Sequence, residues 1–444
     1  MRPIAQMREV ALPDWAMSGY KISRRKLLGA AAAAAAFSVV PRHVLGGPAY
    51  RPPSEVLARG TIGTGAQGMT HVVENSDGRP PAQLAVCDVD TSRLAQALKK
   101  AGPPCEGYGD WRRVLDRRDI DVIHIATPPH WHALITIAAC QAGKDVFCEK
   151  PMTRFIREGR AVVEAARRYG RICMCNTIGR SGWRRMRKLV ASGLLGAPLK
   201  VYLGPKTGFG FKARGLSGRT HLPAQPVPPE LDYELWLGPA PLKPYHPDRV
   251  HGGFRGYWDY DGGGLTDMGQ HWVDPVQYFL AKDDTGPVEV EAVAPWPADP
   301  DACGLWGRIA FRYDDGTTLI LESGEWGREQ PGQPAFIEGP RGKVFRGGRG
   351  GYTSEPPELL DQLVGYPEPP DLIGFEAAVR TRSRAPGDKP NAEEAHRSAT
   401  VLHLGNIAIR TGRRIRWDPA AERILGDEEA NRLVDIPMRA PWHL

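Results

Sequence analysis

Three side chains in this sequence have the types and spacing for chemistry on an oxygen and its proton: Lys150, Asp267 and His271. Lys150 ends the run Asp145-Val146-Phe147-Cys148-Glu149-Lys150-Pro151, which reads as a short buried strand stopped by a proline. A lysine at the carboxyl end of such a strand lies where open parallel sheets place their ligands. Proline fixes its own φ and restrains the residue before it, so Lys150 is held extended. Asp267 and His271 belong to Gly262-Gly263-Gly264-Leu265-Thr266-Asp267-Met268-Gly269-Gln270-His271, a glycine turn entering a helix. Their separation of four places them on one helix face, a turn apart. A carboxylate one turn from an imidazole positions it as a proton acceptor near neutral pH, although the same spacing suits a structural pair. No third ligand of suitable spacing stands nearby, so no metal site is expected.

A dinucleotide is the partner that the N-terminal half suggests. Gly63-Thr64-Gly65-Ala66-Gln67-Gly68 follows a strand and opens a helix. The first glycine makes the tight turn, the second admits a pyrophosphate, and the third lets helix pack on strand. The helix N-terminus then offers free N–H groups to that phosphate. Asp88, twenty residues after Gly68, ends the next strand where an acid bonds a ribose diol. A carboxylate there repels a 2′-phosphate, which favours NAD over NADP. Helix capping is the structural alternative for Asp88.

The elements that position these residues alternate in type. Strands are expected at Val56–Ile62, Leu84–Asp88, Val122–Ala126, Asp145–Cys148 and Ile172–Asn176. Helices are expected at Met69–Glu74, from Thr91, and at Asp110–Asp116, Ala133–Ala142 and Ile156–Tyr169. Helical crossovers make the sheet parallel, so Gly65, Asp88, Thr127 and Lys150 converge on one crevice. Pro128 and His132 follow Thr127 on the same edge, His132 as cofactor contact or helix cap. From Pro198 the pattern changes. A Pro-, Gly- and aromatic-rich excursion fills 205–260, and strands return at Leu199–Leu203, Val288–Val293, Leu305–Tyr313 and Thr317–Glu322. A hairpin at Gly339–Gly342 and helices at Leu372–Thr381 and Ala392–Arg410 complete the expected elements. The fold class is thus α/β: an N-terminal Rossmann domain, then an α/β domain with a large open, mostly antiparallel sheet. The expected divisions are 1–50, 55–177, 178–425 and a C-terminal tail at 426–444.

Composition excludes some partners. Residues 1–50 hold seven Lys/Arg against two Asp/Glu, so they carry most of the net charge of +7. The rest is nearly neutral, and no nucleic-acid partner is expected. Ser23-Arg24-Arg25-Lys26-Leu27-Leu28-Gly29, seven alanines and Phe37 to Val40 form a twin arginine before a short, weakly apolar run. That is the pattern of a twin-arginine export signal, and residues 41–54 read as its linker. The expectation is a periplasmic protein delivered by the twin-arginine machinery, with retention of the run as a membrane anchor left open. Seven cysteines without paired C-x-x-C spacing read as core residues.

The glycine run, Asp88, Thr127-Pro128 with His132, Glu149-Lys150-Pro151 and Asp267/His271 together resemble the glucose-fructose oxidoreductase / inositol dehydrogenase / rhizopine catabolism family. The resemblance covers about residues 55–420. It implies NAD(P)-dependent oxidation or reduction of a sugar or cyclitol hydroxyl by a homo-oligomer, dimer or tetramer. It also implies that Gly63, Thr64, Gly65, Ala66, Gln67, Gly68, Asp88, Thr127, Pro128, His132, Glu149 and Lys150 hold the cofactor. By the same resemblance Lys150 bonds the reacting oxygen, His271 takes its proton, and Asp267 tunes or relays for His271. Arg180, Arg255, Tyr257 and Trp258 are substrate-pocket candidates on type and location. Two features depart from the family: Arg59-Gly60 interrupts the first strand, and Cys175 to Ser181 lacks the glutamines of close relatives. An NAD-dependent glycosidase acting by transient oxidation and elimination, and a non-catalytic sugar-binding relative, are the alternative functions.

Overall fold

Six strands form a parallel sheet, most of them from apolar runs too short for helices: β1 (Arg59–Ile62), β2 (Gln83–Cys87), β3 (Glu106–Tyr108), β4 (Val122–Ile125), β5 (Asp145–Glu149) and β6 (Cys173–Asn176). They lie in the order β3-β2-β1-β4-β5-β6. Helices α1 (Gly68–His71), α2 (Thr91–Ala101), α3 (Trp111–Leu115), α4 (His132–Gln141) and α5 (Ile156–Arg168) connect them. The strand order reverses between β1 and β4, and a crevice opens there at the carboxyl ends. The computed structural model describes residues 55–75, 81–328, 331–347 and 351–444. The expected export leader and the 41–54 linker lie outside them.

Several local expectations shift. β1 begins at Arg59 instead of Val56, and its pairing with β2 shifts register between Arg59 and Gly60, the expected place of irregularity, while the strand itself runs on to Ile62. A Cβ on Gly60 would stand 2.7 Å from Val114 Cγ1, so the glycine lets α3 press on the strand. Arg59 turns outward to Glu376, at 3.2 Å. The expected helix Met69–Glu74 shrinks to α1, which ends at His71. β3 carries no apolar run that a sequence reading could detect; it pairs only with β2 at the sheet edge.

The second sheet has nine strands. In chain order they are β7 (Lys200–Leu203), β8 (Glu289–Val293), β9 (Arg308–Arg312), β10 (Thr318–Glu322), β11 (Ile337–Gly339), β12 (Gly342–Arg346), β13 (Tyr352–Glu355), β14 (Ile415–Asp418) and β15 (Arg423–Ile424). Their spatial order is β13-β12-β11-β7-β10-β9-β8-β14-β15, antiparallel except for the β7–β10 pair. Alternation in β9 buries Ile309 and Phe311 and leaves Arg312 exposed. The buried side packs with α6 (Arg184–Ser192), α8 (Gly263–Leu280) and α10 (Ala392–Thr411) through Leu189, Phe279 and Leu404. Between β7 and α8 the aromatic-rich excursion builds its own small core from Trp236, Phe254 and Tyr260, with α7 (Tyr233–Leu237) inside it.

Two helices set the site and are well terminated. α10 starts with a capping box: Asn391 Oδ1 accepts from Glu393 and Glu394 N–H at 3.0 and 3.2 Å, and Glu394 accepts from Asn391 N–H at 2.9 Å. It stops at Gly412, whose φ is +61°. α8 contains Pro275, which cannot donate to the His271 carbonyl one turn back. The remaining short helices are α9 (Phe375–Thr381) and α11 (Glu428–Asn431). Residues 426–444 pack back on the body. Arg439 Nε donates to the Gly238 carbonyl at 3.0 Å, and the Trp442 ring meets Trp131 edge-on at 4.8 Å. All seven cysteines are unpaired, and six are buried. Among the described residues no helix is long and apolar enough to cross a membrane.

Candidate active site

The crevice at the strand-order reversal is a cleft of roughly 1180 Å³, open solvent included. Its floor is the glycine turn. Gly63 has φ +83°, and a Cβ there would lie 2.6 Å from Thr127 N. A Cβ on Gly68 would meet the Gly63 carbonyl oxygen, which only a glycine avoids. Gly65 is open on its cleft side except for the Arg93 guanidinium. Gly63, Gly65, Ala66, Gln67, Asp88 and Thr127 line the cleft, with Pro128, Glu149, Lys150 and Asp267. Thr64 and Gly68 lie behind the turn and shape it.

The acids around the turn have distinct duties. Asp88 Oδ2 accepts from Thr64 N–H at 2.7 Å and from Thr64 Oγ1 at 3.0 Å, while Oδ1 accepts from Asp90 N–H at 3.0 Å. A carboxylate has about four lone-pair positions, so Asp88 braces the turn and still has capacity for a diol. Glu149 Oε1 accepts from Gln67 Nε2 and Asn176 Nδ2 at 3.0 and 2.7 Å, and lies 2.6 Å from His71 Nε2. Burial opposes its charge, but those hydrogen bonds hold the carboxyl down at about 2. It thereby ties the glycine turn to β5 and β6.

The residues present fit a dinucleotide. Thr127 Oγ1 is buried at the cleft wall without a hydrogen-bond partner among the described residues, an atom a bound cofactor would satisfy. His132 is placed differently from the expectation of a cofactor contact. It is 1% exposed, with Nδ1 2.8 Å from the Pro151 carbonyl and Nε2 2.8 Å from the Thr127 carbonyl. Both ring nitrogens face carbonyls at the ends of β4 and β5, and the ring, its pKa lowered by burial, donates its one N–H to one of them, so its effect on a cofactor passes through Thr127 and Lys150.

Lys150 and Asp267 meet. Lys150 Nζ donates to Asp267 Oδ1 at 2.9 Å and to the Asp267 carbonyl at 2.7 Å. Arg255 Nε donates to the same Oδ1 at 2.9 Å. Although burial opposes ionisation, these two cations hold the Asp267 carboxyl below its usual value. Next door, burial and then the Asp267 charge push Asp261 up to about 6. His271 follows one turn on, outside the residues that line the cleft, with Nδ1 buried and unpartnered among the described residues. Burial, then the Lys150 charge, lowers its pKa to about 4, so the ring is neutral at pH 7. The expected Asp267–His271 relay takes another form: Asp267 bonds Lys150 and Arg255, and acts on His271 through its charge alone.

Three expected substrate contacts lie away from the cleft. Arg180 is completely buried and pairs with Asp274 at 2.5 Å, and with Asp283 and Glu394 at 2.9 Å. Tyr257 is buried, its hydroxyl between the Arg219 N–H and carbonyl at 3.2 Å each. Trp258 is buried and donates through Nε1 to the Asp299 carbonyl at 3.0 Å. Aromatic and basic residues in a long excursion are equally suited to core and pocket, so type alone could not separate them. Arg255, two residues before Tyr257, is the member of that group that reaches the cleft. Arg93 and His251 also line it, and sequence reading missed both. Arg93 carried a weak signal, five residues past Asp88 in the helix after the acid; His251 carried none.

Comparison with known proteins agrees with this geometry. Residues 58–177 match the family model described as oxidoreductase family, NAD-binding Rossmann fold. Residues 181–444 match the one described as oxidoreductase family, C-terminal alpha/beta domain. Inositol 2-dehydrogenase of Salmonella typhimurium is 29% identical over 150 residues, 33% of this chain and 45% of that protein. Levoglucosan dehydrogenase of Pseudarthrobacter phenanthrenivorans is 38% identical over 87 residues, 20% of this chain and 22% of that protein. The chain thus spans less than half the length of these curated relatives. The WlbA dehydrogenase from Bordetella pertussis, solved with NADH and UDP-GlcNAcA, superposes with a TM-score of 0.54 at 17% identity, over 82% of this chain and 99% of that one. An NAD-binding protein from Listeria innocua gives 0.52 at 19% identity, over 81% and 97%. Both likenesses concern the fold. With a glycine turn built for NAD and both domains matched, this chain belongs to the oxidoreductase family of glucose-fructose oxidoreductase and inositol dehydrogenase.

Proposed function

We propose that the chain oxidises or reduces a hydroxyl of a sugar, glycoside or cyclitol, using a tightly held NAD. The observation that carries the reading is Lys150, at the cleft end of β5, with Nζ fixed by Asp267 from the second domain. The names of the inositol and levoglucosan dehydrogenases support the substrate class. NAD, when bound, supplies the hydride acceptor or donor. Lys150 donates to the reacting oxygen and stabilises the negative charge that develops on it as its proton leaves. Neutral His271 takes that proton, or returns it in the reverse direction. Asp267 and Arg255 keep Lys150 in position while this happens, and Trp131 and Trp236 narrow the cleft.

Near-UV absorbance of the purified protein, before and after a panel of sugars, cyclitols and glycosides, tests this. A stoichiometric NADH rise with one compound, lost in Lys150→Ala and His271→Ala, is the expected result. Free sugar released from a glycoside without that rise would replace the reading with hydrolysis by transient oxidation. No signal and no recoverable nucleotide would leave a binding protein.

We further place the protein in the periplasm, on the strength of Arg24-Arg25 and the apolar run after them. Twin-arginine substrates cross folded, so NAD acquired in the cytoplasm would travel inside the cleft and be recycled there. Changing both arginines to lysine should leave the protein in the cytoplasmic fraction; unchanged periplasmic recovery would count against the route. A homo-oligomer formed through the open nine-stranded sheet completes the proposal, and light scattering of the purified protein measures it.

A further inference from the structure

A second cavity lies outside the cleft, behind the segment that carries Lys150. It measures about 50 Å³ and is walled by Arg154, Trp258, Asp259, His403, Asn406 and Arg410. Leu433 and Ile436, from the C-terminal segment, close it. One water molecule needs roughly 10–15 Å³ on this scale, so the space suits several waters or one tetrahedral anion. Nothing in the redox chemistry of the cleft uses these residues.

The walls are rich in donors without acceptors. Arg154 is 6% exposed; it donates Nε to the Trp258 carbonyl and lays its guanidinium on the Phe155 ring at 4.5 Å. Arg410 stacks on the Trp258 ring at 4.7 Å, and its Nη1 is buried without a partner among the described residues. Neither guanidinium is in a close ion pair among the described residues, although Asp261, Asp259 and Glu158 act on Arg154, and Asp259 and Asp299 on Arg410, from farther away. His403 and Asn406 are each 4% exposed; the Thr153 backbone acts on the His403 ring, and both amide atoms of Asn406 are unpartnered among the described residues. Asp259 is the one acid in the wall, and Lys243 Nζ stands 2.5 Å from its Oδ2. Burial, then the charge of Arg154, lowers the pKa of Arg410, and burial holds His403 neutral with a pKa of about 3.

A buried and a half-buried like charge, with an unsatisfied amide beside them, are costly to leave facing an empty space. Planar guanidinium forks match the oxygens of a tetrahedral oxyanion, and neutral imidazole and amide N–H groups can donate to the remaining ones. We propose that this cavity binds one small inorganic oxyanion, phosphate or sulfate, between Arg154 and Arg410, with His403 and Asn406 behind it. Such an anion joins the segment four residues after Lys150 to the end of α10 and to the C-terminal segment.

The test melts the full chain in phosphate, sulfate and chloride at matched ionic strength, beside the rim variant Arg410→Gln. Exclusion of these salts from protein surfaces raises Tm without saturating and does so in both proteins. A site instead gives a saturating rise that follows ligand linkage. The expected result is a saturating rise in phosphate or sulfate for the wild type only. Whichever oxyanion saturates at the lower concentration is the one preferred. Equal, unsaturating rises in the two proteins would overturn the proposal. Should Arg410→Gln fail to fold, wild-type crystals soaked in selenate and in bromide decide instead. An anomalous selenate peak between the two guanidinia is expected; ordered waters or bromide alone would overturn it.

Discussion

At the proposed redox site two cations share one carboxylate beside one imidazole. Asp267 Oδ1 takes hydrogen bonds from both Lys150 and Arg255, which leaves Lys150 aimed but not neutralised. On the proposed mechanism, replacing Lys150 by alanine removes the donor to the developing oxyanion and should lower kcat about 10²- to 10³-fold, with nucleotide still retained. Stopped-flow reduction of the bound nucleotide reads both quantities. His271 makes a separate prediction. Burial and the Lys150 charge place its pKa at about 4, so proton acceptance should persist until the pH falls through that value. The acid limb of kcat/KM should therefore lie near pH 4; a limb near 6.5, the value of a free imidazole, would contradict it. In Lys150→Met one lowering charge is gone, and the His271 resonance should titrate above 4 by NMR. The depressed pKa also has a stability consequence. The unfolded chain takes up the His271 proton first, so this contribution is full above about pH 6.5 and is lost as pH falls toward 4.

At the scale of elements, the glycine turn and the capped helix α10 make different demands. The Gly68 Cα faces the Gly63 carbonyl so closely that a methyl would overlap it. Gly68→Ala should force the turn open and abolish nucleotide retention while the second domain stays folded; nucleotide content and thermal unfolding together check this. Asn391 caps α10 through two backbone N–H groups, and Asn391→Ala should cost about 1 kcal/mol in urea unfolding. The turn was legible in the sequence because glycine spacing reflects backbone geometry within six residues. α10 was legible as well, from Ala392 onward. β3 was not, since Glu-Gly-Tyr carries no alternation and its pairing with β2 is decided by the neighbouring strand.

Across the whole molecule, a buried ion cluster pins the two sheets' surroundings together. Arg180, just beyond β6, binds Asp274 of α8, Asp283 after it, and Glu394 of α10. Burial raises Glu394 to about 7 even beside that guanidinium. Arg180→Ala would leave three carboxylates without their cation and should cost about 3–5 kcal/mol of stability in denaturant unfolding. A substrate-binding arginine would instead raise KM at unchanged stability, so the pair of measurements separates the two roles.

Much of this chemistry was decided locally. The glycine turn, the acid after β2 and the lysine before Pro151 are short-range patterns, and helical crossovers oblige their strands to run parallel. Those facts alone bring Gly65, Asp88, Thr127 and Lys150 to one edge. Other assignments depended on contacts that no local pattern specifies, such as Lys150 with Asp267, 117 residues apart. Lys150 meets Asp267, His132 turns from the cofactor to the Pro151 and Thr127 carbonyls, and Arg180 becomes a buried counter-ion. Side-chain type and spacing define what a residue can bond. Which partner it does bond is set by how α8 and α10 pack against the first domain, and that follows from the burial of their apolar faces.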